Sequence, residues 1–135
     1  MNDERCVVIL NEELPVGKAA NAAAVLSLTL GQRYPHFVGE SLVDGSGNSW
    51  PGLIPFGIPV LAANNTQLRS LLGQCAERQF DALIFPLEGQ MTVDYPAFSA
   101  AVSQIATDDL QHLGLAIVGE KKALRKLTGK LKLFG

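Results

Sequence analysis

The sequence predicts an α/β domain with helices on both sides of one sheet, and three observations carry that prediction. Four short apolar runs are continuous rather than alternating, as strands covered on both faces are. The segments between them have helical periodicity with start and stop signals. The 135 residues, 47% hydrophobic and 18% charged, amount to a single domain, residues 1–135, with one substantial core.

The first run, CVVIL at residues 6–10, leads into LPVGKAANAAA at residues 14–24, where a proline and a Gly-Lys pair run straight into an alanine-packed helix. A helix that small all round can lie close to a sheet, which accounts for the alanines but not for Asn21 among them. After the second run, PVLAA at residues 59–63, Asn64 and Gln67 have capping-box spacing. Leu68, Leu71, Leu72 and Cys75 then form one buried stripe. The third run is ALIFP at residues 82–86. Beyond it Asp94-Tyr95-Pro96 opens a helix, with Pro96 in the first turn and Phe98, Val102 and Ile105 on one face. The fourth is LAIVG at residues 115–119. A last helix follows over residues 120–128, backed by Ala123, Leu124 and Leu127 and stopped by Gly129.

Right-handed crossovers between such strands place most of their C-terminal ends along one edge. That edge is expected to carry residues 11–13, 63–65, 88–90 and 120–122. One stretch, residues 36–58, is irregular, with turn signals at Asp-Gly, Ser-Gly and Trp-Pro-Gly. It is longer than a compact domain usually leaves without structure. The sequence allows either a hairpin or short edge strand around Leu42-Val43, or a lid over a ligand.

Composition narrows function by exclusion. No apolar run approaches the ~18 residues of a membrane span. The opening MNDERC is charged and lacks the order of a signal peptide, so the expected location is cytoplasmic. Cys6 and Cys75 lie in apolar segments without CxxC spacing and are expected to be buried, reduced thiols. His36 and His112 each lack a second ligand at metal spacing, so neither a metal nor a cofactor is expected. The net charge of −2 argues against wholesale nucleic-acid coating, yet the last 15 residues hold six of the 11 basic residues and no acid. Lys121, Lys122, Arg125, Lys126, Lys130 and Lys132 thus form either a solvated surface or a face for RNA or a protein partner.

Gly17-Lys18 at a helix mouth invites comparison with a nucleotide phosphate loop and fails it. A Walker A loop needs a glycine where Glu12 stands and a hydroxyl where Ala19 stands. What survives is the set of free N–H groups in the first helical turn, with Lys18 and Asn21 three apart on one face. Such a face suits a lone phosphate or carboxylate. There is no G-x-S-x-G elbow, and neither histidine has a triad context. Glu12-Glu13 and Asp108-Asp109 are adjacent pairs whose side chains diverge, which makes them poor acid–base partners. Glu88-Gly89-Gln90, just beyond the third strand, is placed either for a site or for a polar turn.

Two segments resemble the type II peptidyl-tRNA hydrolases. EELPVGKAANAAAVLSLTLG, after an apolar strand, is similar to that family's Gly/Lys-rich turn and Lys-x-Ala-Ala-Gln helix with a histidine three residues on. LGLAIVGEKKALRKLTGKLKLFG is similar to its closing strand, short helix and Thr-Gly-x-Leu-Lys-Leu tail. The chain more closely resembles the domain-of-unknown-function family 2000, with a Leu-Pro-x-Gly-x-Ala-Ala-Asn helix opening, a loop like VDGSG and the same Lys-Leu-Thr-Gly ending. The resemblance implies a three-layer α/β/α sandwich around a four-stranded, mostly parallel or mixed sheet. It does not carry the hydrolase chemistry with it. Asn21 falls at the family's glutamine, Ala24 at its histidine and Gly17 at its lysine, with Lys18 one place late. Its Asp-Ala-Gly-x-Thr-Gln segment corresponds to residues 85–90, where only Gln90 is kept. Losing such groups costs roughly 10²–10⁴-fold in rate each.

The expected site is a cleft joining Lys18 and Asn21 at the helix start, Asp44 and Ser46 of the long loop, and Glu88 and Gln90, with a small polar ligand. One alternative is hydrolysis of peptidyl-tRNA or an aminoacyl ester by a rebuilt set of Asn21, Asp44 and Gln90. The other is RNA or protein binding through the basic segment. The apolar composition also suggests a homo-oligomer, with Trp50, Pro51, Phe56 and Phe134 as anchors or, competing with that, as core.

Overall fold

The computed structural model describes residues 3–135; Met1 and Asn2, the first two residues of the MNDERC opening, lie outside the described residues. Strand β1 (Glu4–Asn11) leads into α1 (Val16–Arg33). A hairpin of β2 (Leu42–Val43) and β3 (Ser49–Trp50) precedes β4 (Val60–Ala63) and α2 (Asn65–Arg78). Then come β5 (Asp81–Pro86), a short 3-10 turn over Leu87–Gln90, and α3 (Tyr95–Ser103). Strand β6 (His112–Glu120), α4 (Lys121–Thr128) and β7 (Lys132–Leu133) close the chain. The result is a mixed α/β fold whose main sheet has five strands in the order β5-β6-β1-β4-β7, with β2 and β3 forming a second, two-stranded sheet.

Alternation along β1 explains why its run is apolar throughout. Cys6, Val8 and Leu10 point to one face, where they meet Ala19, Ala22, Leu26 and Leu30 of α1. Val7 and Ile9 point to the other, against Leu68, Leu71 and Cys75 of α2 and Leu124 of α4. Fully burying a side chain such as Ile9 or Leu68 stabilises the fold by about 1.5–3 kcal/mol. Only part of the alanine cluster serves this packing: Ala19 and Ala22 are buried, whereas Ala20 and Ala24 are exposed. Gly17 has open space where a Cβ would stand, so it is not a close-packing glycine either.

The helix signals are realised with small corrections. Asn64 and Gln67 form the reciprocal capping box, with Gln67 N donating to Asn64 Oδ1 at 2.8 Å and Asn64 N to Gln67 Oε1 at 2.9 Å. Asp94 caps α3, and Glu120 caps α4 by accepting from the Lys122 and Ala123 N–H groups. Helix α3 ends before Ile105 and has no buried residue, and α4 buries Leu124 and Thr128 rather than Ala123.

Strand direction departs most from expectation. β1 and β4 are parallel, but β6 runs antiparallel to both β1 and β5, and β7 is antiparallel to β4. Glu120, Lys121 and Lys122 therefore sit at the edge opposite residues 11–13, 63–65 and 88–90, and the N-terminal end of β6 takes their place. The fifth strand, β7, escapes a periodicity reading because it is only two residues long; Leu61 faces Leu133, and Phe134 N donates to Val60 O at 2.9 Å. Residues 36–58 contain the hairpin rather than a featureless loop. Gly47, at φ 82°, makes its turn, and Phe37, Ile54, Phe56 and Ile58 pin the stretch to the α1 side of the core.

Candidate functional site

The C-terminal ends of β1, β4 and β5 and the N-terminal end of β6 meet at one edge of the sheet. Asn11 ties the end of β1 to α2 and β6, its Nδ2 donating to Asn65 Oδ1 at 3.0 Å and to the His112 carbonyl at 3.3 Å. From the end of β5 the chain makes the tight Leu87–Gln90 turn. Gly89 is required there: a Cβ would lie 2.1 Å from Phe85 Cε1, on a ring held in the core. That turn carries Gln90 back to α1, where Nε2 donates to the Lys18 carbonyl and to Asn21 Oδ1, both at 3.1 Å. Gln90 Oε1 and Glu88 Oε1 are left buried with no hydrogen-bond partner among the described residues. Beside Asn21 a groove of about 650 Å³ opens between α1, β5 and α3, with Ile84, Gly89, Tyr95 and Phe98 along it.

Four of the six residues expected to form the site, Lys18, Asn21, Glu88 and Gln90, thus share one edge. Lys18 takes part through its backbone carbonyl, and its ammonium makes no ion pair among the described residues. The other two are elsewhere. Asp44 and Ser46 belong to the β2–β3 hairpin, and no hydrogen bond or ion pair joins them to the other four among the described residues. The Asp44 carboxylate accepts from Trp50 Nε1 and from the Ser46 and Asn48 N–H groups. These bonds, the one from Trp50 foremost, hold its carboxyl below the ordinary aspartate range. Trp50 in turn is exposed and held by Asp44, while Phe56 and Phe134 pack on the core.

One residue at this edge was not expected there. His112 is 3% exposed, and both of its ring nitrogens lack a partner among the described residues. Burial foremost, then the nearby charge of Arg69, lowers its pKa, with Glu88 opposing. The sequence signal is faint: a histidine three residues before the last apolar run reaches this edge only if that run is antiparallel to the first.

The basic segment lies across the sheet. Lys121 and Arg125 join Arg5 around a cavity of about 560 Å³ at the opposite edge, Lys122, Lys126 and Lys130 are exposed, and Lys132 sits on the outer strand β7. Cys6 and Cys75 are free and buried, and burial pushes each thiol up to about 11. Among the described residues, no three His, Cys, Asp or Glu side chains are grouped to hold a metal ion, and no helix is long and apolar enough to cross a membrane.

A solved protein of unknown function from Agrobacterium tumefaciens strain C58 superposes on this chain with a TM-score of 0.90. The two are 27% identical, and the match covers 100% of each chain. Comparison with curated proteins gives no match. The family described as Protein of unknown function (DUF2000) matches residues 4–134, nearly the whole length, and the chain therefore belongs to the DUF2000 family.

Proposed function

We propose that this domain binds a small polar ligand at the edge formed by Lys18, Asn21, Glu88 and Gln90. The observation that carries the reading is the pair of buried acceptors, Glu88 Oε1 and Gln90 Oε1, without partners beside the Asn21–Gln90 hydrogen bond. A buried oxygen without a donor costs about 1–3 kcal/mol, and a ligand bringing N–H or O–H groups recovers that cost. The ligand is accordingly rich in donors, such as an amine, amide or polyol, with its apolar portion in the adjoining groove.

The same reading makes the protein a cytoplasmic binding domain on a three-layer α/β/α scaffold related to type II peptidyl-tRNA hydrolases. The order of the sequence motifs supports that relation. The ester-hydrolase reading is the weaker one, because Asn21 spends its acceptor on Gln90 and Asp44 is engaged inside its hairpin.

A ¹⁵N-resolved NMR titration with small amines, amides and polyols tests the proposal. At least one compound is expected to shift the side-chain amide signals of Asn21 and Gln90, and Gln90→Leu is expected to abolish the response. Binding that survives Gln90→Leu, or no response across the set, would sink it. Incubation with peptidyl-tRNA is expected to give no turnover above buffer.

A further inference from the structure

A second cavity lies on the α2 side of the same sheet end, and a β-bulge turns His112 toward it. Along β6, Ala116 and Val118 face α1, while Leu115 and Ile117 face α2. Strict alternation would turn Leu113 toward α2 and His112 toward α1. The register with β5 skips one residue, because Phe85 pairs with Gly114 but Pro86 pairs with His112. Leu113 is the extra residue and turns into the α1-side core, so His112 is re-aimed toward α2.

There the imidazole lines a cavity of about 440 Å³, within the usual size of small-molecule sites. Arg69 of α2 and Thr107 and Asp108 of the turn before β6 line it as well, and Leu72 and Ala76 give it an apolar wall. Neither Arg69 nor Asp108 makes an ion pair among the described residues, although both border the same space. His112, whose two buried ring nitrogens have no partner among the described residues, lines the same cavity. Two unpaired opposite charges on one cavity ask for a guest that carries both. A carboxylate fits the guanidinium fork and an imidazole N–H, an ammonium fits Asp108, and an aliphatic group fits the wall.

We propose that this cavity binds a small zwitterion of the α-amino-acid class, with its carboxylate on His112 and Arg69 and its ammonium on Asp108. This cavity shares no lining residue with the groove beside Asn21, although the Glu88 carboxylate of the first site also acts on His112.

The test is an NMR titration of the two histidine rings with L-leucine, isovalerate and isoamylamine, His112→Phe assigning the His112 signals. L-leucine is expected to shift His112 but not His36. The carboxylate-only and ammonium-only analogues are expected to bind at least about tenfold more weakly, a difference of about 1.4 kcal/mol. Arg69→Gln and Asp108→Asn, both at exposed positions, are expected to weaken L-leucine by a similar factor without changing the thermal unfolding curve. Gln90→Leu is expected to leave this response intact, which separates it from the site at Asn21. No shift of His112, an analogue that binds as well as L-leucine, or a response unchanged in Arg69→Gln would each overturn the proposal.

Discussion

Gln90 Nε2 and Asn21 Oδ1 lie 3.1 Å apart, although 69 residues separate them in the chain. The bond joins the turn after β5 to the first turns of α1, and it turns the Gln90 amide so that Nε2 is engaged and Oε1 stays bare. A double-mutant cycle with Asn21→Ala and Gln90→Ala is expected to give a coupling of about 0.5–1.5 kcal/mol in chemical denaturation, the range of one net hydrogen bond. A coupling indistinguishable from zero would show that the two side chains do not hold each other in solution.

Gly89 holds the same turn by being small. Gly89→Ala places a methyl 2.1 Å from the Phe85 ring, which is 7% exposed and has little room to retreat. The expected cost is about 1–3 kcal/mol, read as a lowered denaturation midpoint. Gly17→Ala meets nothing within 4 Å and sits in a helix, so it is expected to stabilise by roughly 0.5–1 kcal/mol.

The capping box of α2 offers a stability control at residues that line neither the groove beside Asn21 nor the cavity at His112. Asn64→Ala removes the acceptor for Gln67 N and is expected to cost about 1 kcal/mol. The loss should appear as a lowered midpoint in the unfolding curve.

Asp81, at the start of β5, accepts from the Tyr34 hydroxyl and from Arg33 Nε at 3.3 Å and Nη2 at 2.8 Å. The Tyr34 bond foremost lowers the Asp81 pKa, while burial foremost, and then that bond, raises Tyr34 to about 12. The two shifts bound a pH window. The Asp81 contribution is present above the unfolded carboxyl value of about 3.9 and is lost as pH falls through the lowered folded value. The Tyr34 contribution is complete below the ordinary 10.0 and is lost as pH rises to about 12. Ultraviolet titration should show one tyrosine ionising near that upper value and missing in Tyr34→Phe. Absence of any tyrosine ionising near that upper value would contradict the structure.

His112 gives an acid limb. Arg69 and Glu88 are the charges that act on it, Asp108 lines the same cavity, and burial foremost, then Arg69, keeps its folded pKa low. Below about 6.5 the unfolded chain takes up a proton that the folded chain resists, so stability falls as pH falls through that range. The slope attributable to one histidine is at most about 1.36 kcal/mol per pH unit. Comparing wild type with His112→Phe between neutral pH and pH 5 should reveal it, and parallel curves would count against the burial of the ring.

The parts legible from sequence were those set by neighbours along the chain. Asn64 with Gln67, Asp94 before Pro96, and the stripe Leu68-Leu71-Cys75 act within one or two helical turns, and each appears where its spacing puts it. The apolar runs marked the four longer strands because a residue covered on either face is apolar at every position. Four of the six candidate residues shared an edge because Lys18, Asn21, Glu88 and Gln90 flank strands that do run the same way.

What only the tertiary structure decided came from pairings across the sheet. An apolar run reads the same whether its strand lies parallel or antiparallel, because hydrophobic burial has no direction along the chain. Reversing β6 moved Glu120, Lys121 and Lys122 to the far edge and brought His112 beside Asn11. The bulge at Leu113 then chose the face His112 looks onto, through a one-residue slip that no local pattern encodes. Asp44 and Ser46 were drawn into their own hairpin because local N–H donors and Trp50 satisfy the carboxylate more cheaply than a distant partner could. The sequence by itself determined the four longer strands, the helices and the family; the partners of Gln90, His112 and Asp44 exist only in the folded chain, because hydrogen bonds and charges act across space.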